Sequence, residues 1–185
     1  MSKILFPILI LICLTLGACQ EMQTEELPIL EGEAFELYLV SDKMMTGADL
    51  KDYELDEIPL AEKPFIKTDD IHNFLWEDQL INLKETAYKS LVFLFSDNLP
   101  LSGLPFVIVS HGERIYAGAF WSPFSSASFD GVTIIQPLDP AGMPLVITLG
   151  YPTDAFFSGE DPRYDLRLKQ ALENADLLWD GETEE

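Results

Sequence analysis

Cysteine is nearly absent from this chain. Its 185 residues hold two, Cys13 and Cys19, so nothing after position 19 can form a disulfide. Histidine is as scarce: His72 and His111 occur without any His-Glu-x-x-His spacing, which leaves a zinc site without its ligands. Basic residues are few, 11 Lys+Arg against 32 Asp+Glu, for a net charge of −21. Such a surface repels phosphate backbones and anionic headgroups, which argues against nucleic acid as a partner. There is no Gly-x-Ser-x-Gly elbow, no phosphate loop and no dinucleotide fingerprint; Gly118 and Gly150 stand isolated. The apolar run at residues 4–16 is too short for a comfortable transmembrane span.

What is present first concerns the N-terminus. Lys3 supplies one positive charge, residues 4–16 form an apolar region interrupted by Pro7 and Thr15, and Leu16-Gly17-Ala18-Cys19 closes it. This is the order of a cleavable signal. The four closing residues resemble the bacterial lipobox. The resemblance implies that Cys19 carries a diacylglycerol, that palmitate-type acylation anchors the chain, and that residues 1–18 are removed. An ordinary signal peptide or an uncleaved anchor helix is the competing reading. Cleavage would remove one lysine and no acid, making the mature charge one unit more negative than that of the whole chain. Residues 19–33 then read as an acidic tether, extended by self-repulsion. Residues 34–179 are expected to be a single α+β domain, and residues 180–185 an acidic tail.

Within the domain, residues 35–40 alternate and read as a strand, and residues 79–83 as another. Asp49, Asp52, Glu54, Asp56 and Glu57 crowd a polar stretch with a short helix near residues 48–53. Calcium is the sharp hypothesis there, but the oxygen ladder and central glycine of an EF-hand loop are missing, so a solvated loop is expected and no cofactor. Thr68 is placed to cap a short turn with Asp69 and Asp70 behind it, and His72 falls in a polar turn. Residues 85–95 fit a helix with Ala87, Tyr88, Leu91, Val92 and Phe95 on one face and Phe93 opposite. Phe129-Asp130-Gly131 reads as a turn, and residues 132–136 and 145–149 as strands. The last element is a helix begun by Asp161 as N-cap and Pro162, with Tyr164, Leu168, Ala171, Leu172 and Ala175 along one stripe.

Residues 106–126 form the centre of the pattern. The apolar run Phe106-Val107-Ile108-Val109 suits a strand covered on both faces. Ser110-His111-Gly112-Glu113 supplies a tight turn, since Gly and His are among the residues that accept positive φ. From there the chain alternates, with Arg114, Tyr116, Gly118 and Phe120 on one face and Ile115, Ala117, Ala119 and Trp121 on the other. Arg114, Tyr116, Phe120 and Trp121, with Ser122, Ser125 and Ser126, are the candidate binding surface: aromatic rings beside polar groups suit sugar, peptide or protein contact. The competing reading makes Phe120, Trp121 and Phe124 core and the serines a loop. A Ser–His pair drawn from His111 and these serines is the candidate for nucleophilic chemistry.

The segment Pro64-Phe65-Ile66, Thr68, Asp70-Ile71, Leu80-Ile81-Asn82-Leu83 and the run from Phe106 to Tyr116 resembles the periplasmic head of the SecD translocation subunit. The resemblance implies a ferredoxin-like arrangement, helices on one face of a mostly antiparallel sheet. It brings no translocation activity, because Ala117-Gly118-Ala119-Phe120-Trp121-Ser122-Pro123 replaces the family's ending and no transmembrane helices follow. The whole pattern also looks like small bacterial lipoproteins. The expected function is a lipid-anchored, non-catalytic binding or accessory module on the extracytoplasmic face of the plasma or outer membrane, with an envelope protein or glycan as partner. The alternatives are an envelope hydrolase acting on peptide or glycan, and an accessory factor in export or folding of secreted proteins.

Overall fold

The computed structural model describes residues 32–96, 99–137 and 144–179. The lipobox with Cys19, nearly all of the tether, the middle of the proline-rich link after residue 137, and the acidic tail lie outside the described residues.

Among the described residues eight strands run β1 (Glu36–Leu39), β2 (Ile66–Lys67), β3 (Ile71–Leu75), β4 (Leu80–Leu83), β5 (Leu104–Ser110), β6 (Glu113–Trp121), β7 (Phe129–Ile135) and β8 (Leu145–Tyr151). Two helices accompany them, α1 (Glu85–Ser96) between β4 and β5, and α2 (Leu166–Asn174) after β8. The strands form one sheet in the order β2-β1-β5-β6-β7-β8-β4-β3. Every neighbouring pair is antiparallel except β6–β7. The expected class, α+β with a mostly antiparallel sheet, is what the chain adopts.

β2 and β3 stand at opposite ends of that order, yet only the three-residue 3-10 turn Thr68–Asp70 separates them in the chain. The sheet therefore curls until its two ends approach. Thr68 fastens the approach: its Oγ1 accepts the Phe35 backbone N–H at 3.0 Å, just ahead of β1. Thr68 thus ties two chain segments rather than capping its own turn, which Asp70 closes by accepting the Lys67 N–H at 3.0 Å.

Inside the curl lies one large core fed by all eight strands, among them Leu37, Ile66, Phe74, Ile81, Phe106, Phe120, Ile134 and Ile147. Leu91 and Phe95 of α1 and Leu168 and Leu172 of α2 join the same core. In α1 the buried residues are Ala87, Leu91 and Phe95, four apart along one stripe, while Phe93 on the opposite face is 70 % exposed. The outer face of β1, β5 and β6 is covered by irregular chain: Met45 and Ile58, with the 3-10 turns Gly47–Asp52 and Leu55–Glu57, pack over Val107 and Val109. Further along, Trp121 stacks on Phe129, ring centroids 4.7 Å apart and planes 11° from parallel.

The β5–β6 turn has the expected chemistry, with φ of 47° at His111 and 77° at Gly112. Beyond it the strand departs from simple alternation. Tyr116 sits opposite Ile108 but Arg114 opposite Val109, so Ile115 is an extra residue in β6. The bulge turns Arg114 to the outer face and puts Ile115 beside Tyr116 and Phe120 in the inner core. A second bulge, between Ile71 and Asn73, places Ile71 and Phe74 in one core although they are three apart. It also hid β3 from a period-two reading: His72 is an exposed strand residue, not part of a turn. Phe129-Asp130-Gly131 likewise opens β7 through a register shift instead of forming a turn.

The C-terminal helix is split. Asp161 accepts the Arg163 N–H at 3.0 Å and starts the 3-10 turn Pro162–Tyr164. Asp165, extended at φ −63° and ψ 124°, then interrupts it and caps α2 by accepting the Arg167 N–H at 2.8 Å. Tyr164 consequently lies off the α2 stripe.

Candidate functional site

The residues expected to form a binding surface do not come together. Tyr116 and Phe120 point into the inner core, Trp121 lies on the outer face against Phe129 and Tyr151, and all three are buried. Burial pushes the Tyr116 phenol far above its usual range, Asp161 adding to the rise and Arg163 opposing it. Arg114 Nη1 donates to the Leu55 and Ile58 carbonyls.

The serines serve the chain path. β7 runs parallel to β6, Gly118 opposite Val132 and Trp121 opposite Ile135, so residues 122–128 must return along the strand before β7 begins. This crossover opens with a β-turn, the Ser125 N–H donating to the Ser122 carbonyl at 3.1 Å. It is pinned by the chain's own groups: Ser125 Oγ donates to the Leu101 carbonyl at 2.6 Å, and Ser122 Oγ accepts the Phe124 N–H at 3.3 Å. The Tyr151 hydroxyl lies 3.0 Å from the Pro123 carbonyl oxygen. Ser126 is exposed.

Nor is there a Ser–His pair. Ser125 is held at the Leu104 end of the β5–β6 hairpin, whereas His111 occupies the turn, its Nδ1 3.2 Å from the Gly32 carbonyl oxygen. Among the described residues no group of three or more His, Cys, Asp and Glu is placed to hold a metal ion. Within the acidic stretch Asp49 is committed to a capping box, where its carboxylate accepts the Thr46 N–H at 2.7 Å and the Thr46 hydroxyl at 2.8 Å. These two bonds hold its carboxyl below the usual range.

The strongest candidate site lies elsewhere, in a cleft of about 380 Å³ lined by Trp76, Glu77, Asp78, Lys169, Glu173 and Trp179. That volume is within the range of small-molecule and side-chain pockets. Three elements build it. The β3–β4 turn supplies Trp76, Glu77 and Asp78, with Gln79 at φ 51° and its side-chain amide donating to the Trp76 carbonyl at 2.9 Å. Helix α2 supplies Lys169 and Glu173, one turn apart and therefore on one face. The segment after α2 supplies Trp179.

The end of α2 explains that last placement. Asp176 adopts φ 57°, its N–H donates to the Glu173 carbonyl at 3.0 Å, and the Leu177 N–H donates to the Leu172 carbonyl at 3.0 Å. This is a Schellman termination with Asp in the left-handed position that glycine usually takes. It turns the chain back along β3, where Phe74 donates to the Leu177 carbonyl at 2.7 Å and receives the Trp179 N–H at 3.0 Å. Two strand-like segments now carry Trp76 and Trp179 to one cleft.

Tyr164 packs edge-on against Trp76, centroids 5.7 Å apart at 81°, and its hydroxyl donates to the Glu77 carbonyl at 3.1 Å. The Lys169 ammonium lies 6.0 Å from the Trp76 ring centroid and 4.0 Å from a Glu173 oxygen. The site thus offers indole surface, three carboxylates and one ammonium. It suits noncovalent recognition by stacking, cation–π attraction and charge. Sequence reasoning passed over it because its residues are a hundred positions apart; the available signal was a tryptophan next to acids, in Trp76-Glu77-Asp78 and again in Trp179-Asp180.

No family model matches the chain, and no curated protein or solved structure matches it.

Proposed function

We propose that this chain is a lipid-anchored, non-catalytic binding module of the bacterial cell envelope, displayed on the extracytoplasmic face, with the Trp76–Trp179 cleft as its recognition surface. The observation that carries the binding half is the cleft itself, with two tryptophans and charges of both signs brought together by three separate elements. The anchoring half is supported by the approach Leu16-Gly17-Ala18 to Cys19. Among the described residues no helix is long and apolar enough to cross a membrane, and two acyl chains are enough for stable attachment.

The deciding experiment is metabolic labelling with a clickable fatty acid, followed by membrane fractionation, in the wild type and Cys19→Ala. The expected result is label and membrane recovery in the wild type alone. An unlabelled wild-type protein would remove the anchor from this reading.

The export-accessory reading goes with a finer, ferredoxin-like description of β4, α1, β5 and β6. Both helices drawing on one core is compatible with it, but no observation favours it over the binding module. The same holds for an envelope hydrolase.

A further inference from the structure

We propose that the Trp76–Trp179 cleft receives a cationic side chain, a lysine or arginine presented by a basic peptide segment of an envelope partner. This rests on the binding-module reading and names its ligand class.

Charge points that way first. Glu77, Asp78 and Glu173 line the cleft against a single Lys169. An anionic ligand meets this excess as repulsion, and a neutral sugar gains nothing from it. The second observation is independent of charge counting. The molecule's own Lys169 ammonium already stands 6.0 Å from the Trp76 ring centroid, the arrangement in which an indole attracts a cation. Its partner Glu173 is 4.0 Å away, and the two side chains are 38 % and 53 % exposed. Such a pair is weak and readily exchanged. Lys169 is therefore an internal stand-in that an incoming ammonium or guanidinium displaces, taking over both the indole face and the carboxylate.

This makes a prediction of unusual sign: removing a lysine should tighten binding. The test is tryptophan fluorescence of the full-length protein at physiological salt. It is titrated with capped pentalysine, capped pentaglutamate and a tetramer of N-acetylglucosamine. Trp121 is fully buried and contributes a constant background. Saturable response to pentalysine alone is expected. Lys169→Gln should tighten it about two- to fivefold, the range of a relieved cation–π competitor. Glu173→Gln and Trp179→Leu should weaken it. Lys89→Gln makes the same change in net charge on α1, where Lys89 pairs with Glu85 at 2.6 Å, and should leave the affinity unchanged.

Equal tightening by Lys169→Gln and Lys89→Gln would overturn the inference, because net charge alone would then drive binding. A response to the glycan or to pentaglutamate instead of pentalysine would also overturn it while leaving a binding module in place. Silence with all three probes would overturn it too, and the anchoring half of the functional reading would still be judged by the fatty-acid label.

Discussion

Arg114 Nη1 donates to the carbonyl oxygen of Ile58 at 2.7 Å, across 56 residues of chain. The same nitrogen reaches the Leu55 carbonyl, so one guanidinium holds both ends of a 3-10 turn against the outer face of the sheet. Ile58 is buried beneath it against Val107 and Val109. An antiparallel bridge between Val40 and Leu60 fixes the chain just after the turn, and the arginine ties down the turn itself.

Arg114→Met should therefore loosen this lid. Hydrogen bonds to a charged donor typically contribute about 1.5–3 kcal/mol, and the methionine retains much of the apolar stem. In urea unfolding the midpoint should fall with the slope unchanged. A wild-type midpoint would show that burial of Ile58 and the Val40–Leu60 bridge hold the turn without the arginine.

The same arginine shows where reading the sequence succeeds and where it stops. The hairpin, its turn residues, the first, fourth and eighth strands and most of the seventh follow from local pattern, because alternation and positive-φ chemistry are written within a few residues. The face on which Arg114 lies does not. It depends on one extra residue, Ile115, and a bulge is decided by how β5 and β6 pair, not by either strand alone. The Ile71/Asn73 bulge hid β3 for the same reason. The cleft was hidden more deeply, since bringing Trp76 and Trp179 together requires the Schellman turn at Asp176 and the pairing of Phe74 with residues 177–179.

Two glycines should respond differently to alanine. A Cβ at Gly118 would lie 2.6 Å from the Val132 carbonyl oxygen and 2.7 Å from the Phe106 ring, where the parallel strand β7 comes close. Backbone cannot yield there cheaply, so Gly118→Ala should cost about 1–3 kcal/mol, and no small side chain should rescue it. Gly112 has nothing within 4 Å but sits at φ +77°. Gly112→Ala should cost about 1–2 kcal/mol through backbone strain alone, and Gly112→Asn should recover much of that, because Asn tolerates the left-handed region. Thermal or urea midpoints of the three variants check the pattern; recovery at position 118 by any side chain would contradict the crowding.

Acid should weaken the join between α2's approach segment and the sheet. Arg163 forms a two-pronged contact with Asp161, Nη2 to Oδ2 at 2.7 Å and Nε to Oδ1 at 2.9 Å, while Nη1 donates to the Ile147 carbonyl of β8 at 2.7 Å. Partial burial pushes the Asp161 carboxyl up, but the Arg163 side-chain and backbone hydrogen bonds outweigh it and hold the carboxyl below its usual range. A group whose folded pKa is depressed contributes stability that is fully present above its unfolded value, about 3.9, and is lost as pH falls through the folded value. Asp161→Asn keeps a side chain able to cap the turn and removes only the charge. At pH 7 it should lower stability by about 1–2 kcal/mol, and the gap between wild type and variant should close as pH is taken from 5 towards 2. The comparison must be made between the two proteins at each pH, because protonating the many other acids also relieves the repulsion of a chain with net charge −21 and acts on both alike. Urea unfolding at pH 7, 5, 4, 3 and 2 measures it. A gap that stays constant across that range would mean that the Asp161–Arg163 contact holds the join by shape, not by charge.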